Sequence, residues 1–266
     1  MEKLKLQTDK IFVVGTDTGV GKTVLSLLLM QFFYANDYIP FYIKPIQTGC
    51  SDPYDKNSDA KFIYKHVGQL TKKDPADSIV YCFREPKAPY FASHNEGKNI
   101  DLRTIQNALY KKSRIYSPVI MEAAGGLLVP VNEETLMIDL IKITGAKPII
   151  AARAGLGTIN HTLLTIEALH KRDIQPGGIV FIDTGEKPAP QDMISENIEA
   201  VESYSGIKVA GVIGKIKDFL NPGKKCYQPI ERVLTIIHAQ TSLRRDHATN
   251  CITYSFFSYA CHTLLC

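Results

Sequence analysis

The segment Gly15-Thr16-Asp17-Thr18-Gly19-Val20-Gly21-Lys22-Thr23 constrains this chain more than any other. It follows an apolar run, Ile11-Phe12-Val13-Val14, and opens a Leu- and Met-rich stretch of helical character, Thr23 to Tyr34. A strand that feeds a glycine-rich loop and then a helix turns backbone N–H groups and the positive end of the helix dipole toward one point, which suits a phosphate. Lys22 can then reach the β- and γ-phosphates of a nucleotide, and the Thr23 hydroxyl can ligate Mg²⁺. The usual motif has four residues between its glycines. Here Gly15 and Gly21 enclose five.

The same strand–helix alternation continues down the chain. Phe41-Tyr42-Ile43, Val119-Ile120-Met121, Pro148–Ala151, Ile179–Ile182 and Val209–Ile213 read as further strands, apolar along their whole length. Helical periodicity falls between them at Ser58–Val67, Leu102–Lys112, Met137–Thr144, His161–Lys171 and Gln191–Tyr204. Uninterrupted apolar strands alternating with helices imply a sheet covered on both sides. The expected fold is α/β and P-loop NTPase-like, with a mostly parallel sheet and helices on both faces.

Composition excludes several classes. The chain is 266 residues long and 45% hydrophobic, which is globular rather than disordered. No run of 18 uncharged apolar residues occurs, so no membrane association is expected. Met1–Leu6 lacks the apolar centre of a secretory signal. The 31 basic and 27 acidic side chains give +4, but seven of the bases and three of the acids lie in residues 215–266. That stretch holds the whole excess, and residues 1–214 balance to zero. A neutral body gives no electrostatic reason to expect nucleic acid as a partner. Four of the six cysteines (Cys226, Cys251, Cys261, Cys266) share the same stretch with His238, His247 and His262. No Cys-x-x-Cys pair is present, which favours free thiols in a reducing cytoplasm over a zinc site.

Two further segments carry chemistry. Lys44-Pro45-Ile46-Gln47-Thr48-Gly49 follows the second strand, and Pro45 excludes an immediate helix. Lys44 and Thr48 are therefore expected on a loop at the carboxyl edge of the sheet, where ligands of open α/β sheets bind. Glu122 ends the third strand on that same edge, suiting a metal ligand in phosphoryl transfer, and the small residues Ala123 to Gly126 allow close backbone approach. Asn57-Ser58-Asp59 opens a helix, where Ser58 or Asp59 serves as N-cap.

Taken together, GTDTGVGKT, KPIQTG, NSDA, MEAAGGLLVP and LGTINHTLLT (Leu156–Thr165), in this order, resemble ATP-dependent dethiobiotin synthetase. The longer glycine spacing is that family's form of the loop, and Glu85–Tyr90 with Glu96-Gly97 looks like another landmark. The resemblance covers about residues 10–214. It implies a P-loop domain over residues 1–220 and a divergent tail over 221–266. It also implies a homodimeric, cytoplasmic enzyme that converts 7,8-diaminononanoate, CO2 and MgATP into dethiobiotin, ADP and phosphate.

Carried over by motif, Thr18, Gly19, Val20, Gly21, Lys22 and Thr23 would bind ATP together with Glu122, Gly125 and Gly126. Thr23, Asp59 and Glu122 would ligate Mg²⁺. Lys22, Lys44 and Thr48 would be catalytic, with Lys44 and Thr48 also touching substrate. Gly157-Thr158-Ile159-Asn160 would hold the substrate carboxylate at a helix N-terminus, across the dimer interface.

The chain departs from the family at three places. Tyr90 stands where the family usually has His. Ile182 replaces an Asn that contacts adenine, and Lys217 replaces a proline, both on the nucleotide-base side of the site. Looser base selectivity is the expectation. A related amidoligase of the cobyrinic-acid type would need a glutamine-hydrolysing domain, for which residues 215–266 are too short. A nucleotide-binding regulatory module with the same fold and no turnover is the alternative of a different class.

Overall fold

A computed structural model describes residues 8–183, 185 and 187–242. Seven strands form one sheet: β1 (Lys10–Gly15), β2 (Phe41–Thr48), β3 (Ile79–Phe83), β4 (Val119–Gly126), β5 (Lys147–Arg153), β6 (Gly178–Ile182) and β7 (Val209–Ile213). Their order is β3-β2-β4-β1-β5-β6-β7, and every neighbouring pair runs parallel. Helices α1 (Lys22–Ala35), α2 (Asp59–His66), α3 (Pro89–Asn95), α4 (Leu102–Ser113), α5 (Asp139–Thr144), α6 (Thr158–His170) and α7 (Gln191–Ser205) connect them. Residues 228–242 form a further helix, α8.

The uniformly apolar strands are explained by the two cores they feed. Side chains alternate across a strand. In β1, Phe12 and Val14 enter one core while Ile11 and Val13 enter the other. The first core is closed by α4, α5, α6 and α7 through residues such as Ile105, Leu140, Ile166 and Val201. The second is closed by α1 and α2 together with Ile230, Val233, Leu234 and Ile237 of α8. A Cβ on Gly177, just before β6, would lie 2.6 Å from Ile237 Cγ1, so glycine there permits α8 to dock.

Three expectations change. Two strands outrun their expected ends: the one at Phe41 continues through Pro45 to Thr48, so Lys44 and Thr48 lie on β2 rather than on a loop, and β4 continues past Glu122 to Gly126, so Glu122 lies inside the strand rather than at its end. The missing N–H of Pro45 is tolerated because pairing to β4 covers only Phe41–Ile43, while β2 beyond it pairs with β3. The edge strand β3, an apolar run at Ile79–Phe83, and the short α3 are additions to the elements expected. The helix expected from Met137 begins at Asp139. Met1–Leu6, Cys251, Cys261, Cys266, His247 and His262 lie outside the described residues. No helix among the described residues is long and apolar enough to cross a membrane.

Candidate active site

β1 delivers the chain to the loop at Gly15, and the Thr16 N–H continues the sheet by donating to Ala151 O (3.1 Å). Gly19 and Gly21 adopt left-handed φ of 71° and 94°. At Gly21 a Cβ would also meet Ile182 Cδ1 at 2.8 Å, so glycine is required on both counts. Val20 turns its side chain into the core. The loop ends as α1 begins at Lys22, aiming the helix N-terminus at the cleft above it. Lys22 folds back over the loop and donates to Asp17 O (2.8 Å). Burial, reinforced by the nearby Lys44 ammonium, lowers the Lys22 pKa to about 8.

Lys44 is the hub of the arrangement. Its Nζ lies 2.7 Å from Asp59 Oδ2 and 2.9 Å from Glu122 Oε1, and it donates to Ala123 O at 3.1 Å. Burial alone would lower its pKa, but the Asp59 and Glu122 carboxylates outweigh burial and raise it. The converse holds for Asp59: burial opposes its charge, yet Lys44 keeps the carboxyl below its ordinary range. Thr23 Oγ1 sits 3.0 Å from Asp59 Oδ1 and 2.8 Å from Glu122 Oε1. Ser58, not Asp59, caps α2 by accepting from the Lys61 N–H, which frees the Asp59 carboxylate for this cluster.

Two residues that sequence reasoning missed hold the cluster in place. Gln47 Oε1 accepts from the Asp59 N–H (3.1 Å), and Tyr42 Oη donates to Glu122 Oε2 (2.9 Å). Both contacts join distant segments, so nothing in the local pattern announces them. A cleft of about 790 Å³ opens over the site. Thr18, Gly19, Gly21, Lys22 and Thr23 line it, as do Lys44, Thr48, Asp59, Glu122 and Gly125. Gly126 lies beside it, paired with Gly15. The landmark at Glu85–Tyr90 supplies a wall through Pro86 to Pro89, and Phe62 and Phe219 extend the far end.

Gly157 to Asn160 do not join this cleft. They form the start of α6 on the same sheet edge, with Gly157 at φ 87° and Leu156 beside them 85% exposed. Ile182 is buried beneath the loop, and Lys217 is exposed.

A phosphate loop between β1 and α1, with a carboxylate-and-lysine cluster at the carboxyl edge of an all-parallel sheet, defines a P-loop NTPase-like protein. Comparisons with known proteins narrow the class. A family model described as an AAA domain matches residues 9–222. The protein named ATP-dependent dethiobiotin synthetase BioD from Hydrogenobaculum sp. is 39% identical over 199 residues, covering 71% of this chain and 86% of that one. Its namesake from Methanococcus vannielii is 30% identical over 222 residues, covering 82% of this chain and all of the other.

Among solved structures, the ATP complex of a Cyanothece McdA variant superposes with a TM-score of 0.52 at 11% identity, covering 87% of this chain and 96% of that one. The MinD cell division protein of Aquifex aeolicus gives 0.52 at 13%, with the same coverages. At that identity the likeness is one of fold. The chain belongs to the ATP-dependent dethiobiotin synthetase family.

Proposed function

We propose that this chain carboxylates 7,8-diaminononanoate with CO2 and closes the product to dethiobiotin at the expense of ATP. The carrying observation is the placement of Lys44 between Asp59 and Glu122, two carboxylates that both contact Thr23 at the end of the phosphate loop. In this reading one substrate amine adds CO2 to give a carbamate. A carbamate oxygen takes the γ-phosphoryl group and ADP leaves. The second amine then attacks the carbamoyl carbon, and phosphate departs as the ureido ring closes.

Carbamate and triphosphate are both anionic, so bringing them together requires positive charge already fixed in place. Lys22 and Lys44 supply it, and Thr48 at the end of β2 contacts the carbamate or phosphate. Loop N–H groups from Thr18 to Thr23, with Gly125 and Gly126, hold the nucleotide. The Asp59 and Glu122 carboxylates both come within 3.0 Å of the Thr23 hydroxyl, and the three together make a hard oxygen donor set that fits Mg²⁺. When bound, that ion would offset charge on the phosphates.

The α6 start, Gly157 to Asn160, stands away from the cleft. It would receive the substrate carboxylate from the partner protomer of a homodimer working in the cytoplasm.

The test is ADP release by the purified chain with MgATP. Release that requires both diaminononanoate and bicarbonate supports the reading. Nucleotide binding with no stimulation by either compound overturns it in favour of a regulatory module.

A further inference from the structure

Glu122 is only 1% exposed, and its two oxygens have different company. Oε1 faces Thr23 and Lys44, while Oε2 accepts a hydrogen bond from Tyr42 Oη at 2.9 Å. Tyr42 stands on β2 two residues before Lys44, is 1% exposed, and does not line the cleft. Its backbone is fixed in turn. Ser78 Oγ donates to Tyr42 O at 2.6 Å, and Tyr64 Oη lies 2.8 Å from Ser78 Oγ.

The terminal torsion of a glutamate is broad and two-fold, so packing alone does not settle which way its carboxylate plane turns. A buried carboxylate oxygen without a donor is also costly. One phenol hydroxyl answers both problems: it satisfies Oε2 and leaves Oε1 directed at the cleft. Outer partners of this kind commonly change metal affinity by about 10- to 100-fold.

We propose that Tyr42 is a positioning residue that sets the divalent-cation affinity of the cleft by orienting Glu122. The proposal rests on the reading that Thr23, Asp59 and Glu122 hold the cation. Tyr42 itself touches neither nucleotide nor ion.

Tyr42→Phe removes a single hydroxyl and keeps the ring in the core. Mn²⁺ binding to the full chain in the presence of ADP, followed by electron paramagnetic resonance, reads the effect without turnover. The half-saturating Mn²⁺ concentration is expected to rise about 10-fold. ADP affinity measured in EDTA should stay within twofold of wild type, and so should the circular dichroism amplitude.

A Mn²⁺ midpoint within twofold of wild type in the folded variant overturns the proposal. So does a loss of ADP affinity in EDTA as large as the loss for Mn²⁺, because that pattern marks general disruption of the site. Asp59→Asn separates the two levels of inference. If it weakens Mn²⁺ binding while Tyr42→Phe does not, the positioning role alone is wrong; if both are silent, the cation site itself is wrong. Should Tyr42→Phe fail to fold, Tyr42→Met removes the same hydroxyl while keeping an apolar side chain in the core, and it is expected to raise the midpoint about 10-fold. No change in that variant overturns the proposal equally.

Discussion

Lys44 is buried and held by three oxygens, so replacing it has two separable consequences. Lys44→Ala leaves Asp59 and Glu122 facing each other without their cation, which should cost about 3–5 kcal/mol of stability by urea unfolding. It should also lower turnover by about 10²–10³, the usual loss when one fixed charge-stabilising group is removed. ATP binding, measured with a fluorescent analogue, should fall far less. Unchanged turnover would show that another cation serves the reaction. Ile182 gives a second expectation at this scale. It is buried against Gly21 and carries no polar side-chain atom, so its side chain offers a base no hydrogen bond. kcat/KM for ATP should exceed that for CTP or GTP by less than about a thousandfold, or about 4 kcal/mol. Steady-state kinetics with the three triphosphates measures this.

Among the elements, α8 carries the clearest prediction. It lies beyond the residues matched by the family model, yet Val233, Leu234 and Ile237 are buried in the core that also holds α1. Leu234→Ala should destabilise the protein by about 2–5 kcal/mol in urea unfolding, while ADP affinity at low denaturant stays within about twofold. A cost below about 1 kcal/mol would mean that α8 is not integral to the core. Nothing in the local sequence says where α8 docks, because docking depends on Gly177 and β6, far back along the chain. Other elements are legible to the degree that their signal is local. The strands from Ile11, Val119, Pro148, Ile179 and Val209 are apolar throughout because both faces are buried. β3, Ile79-Val80-Tyr81-Cys82-Phe83, is as apolar as these yet is not among the strands expected, and its edge position leaves four of its five residues half-buried. The phosphate loop, Lys44 and Glu122 are readable from motif, although Lys44 lies within β2 and Glu122 within β4 and neither stands at a strand end. Tyr42 is not, since an aromatic residue inside an apolar strand looks like any other core residue.

Over the whole molecule, the thiols make alkaline stability measurable. Burial pushes Cys50 up to about 12 and Cys82 up to about 11, against an ordinary 9. The folded chain therefore keeps two protons that the unfolded chain releases near pH 9. Their contribution is complete below pH 9 and declines as pH rises toward 11 and 12, because the unfolded state then binds fewer protons than the native one. The stability difference between wild type and Cys82→Ser should shrink between pH 9 and pH 11. A difference independent of pH would show that the Cys82 thiol titrates normally.

The cluster beneath the cleft has one more consequence, for the speed of ligand capture. The formal charges on Lys22, Lys44, Asp59 and Glu122 sum to zero, and of the two other lysines lining the cleft, Lys87 pairs with Glu85 at 2.8 Å and Lys56 stands beside the Asp55 carboxylate. Opposite charges packed this closely project little field beyond a Debye length, about 8 Å at physiological ionic strength. A magnesium nucleotide is thus not drawn in from a distance; it meets the positive groups only after arriving. Stopped-flow association of a fluorescent ATP analogue should proceed at an unsteered rate, about 10⁵–10⁷ M⁻¹s⁻¹. That rate should change less than about threefold between roughly 50 and 500 mM KCl, whereas an electrostatically guided encounter slows steeply over the same range.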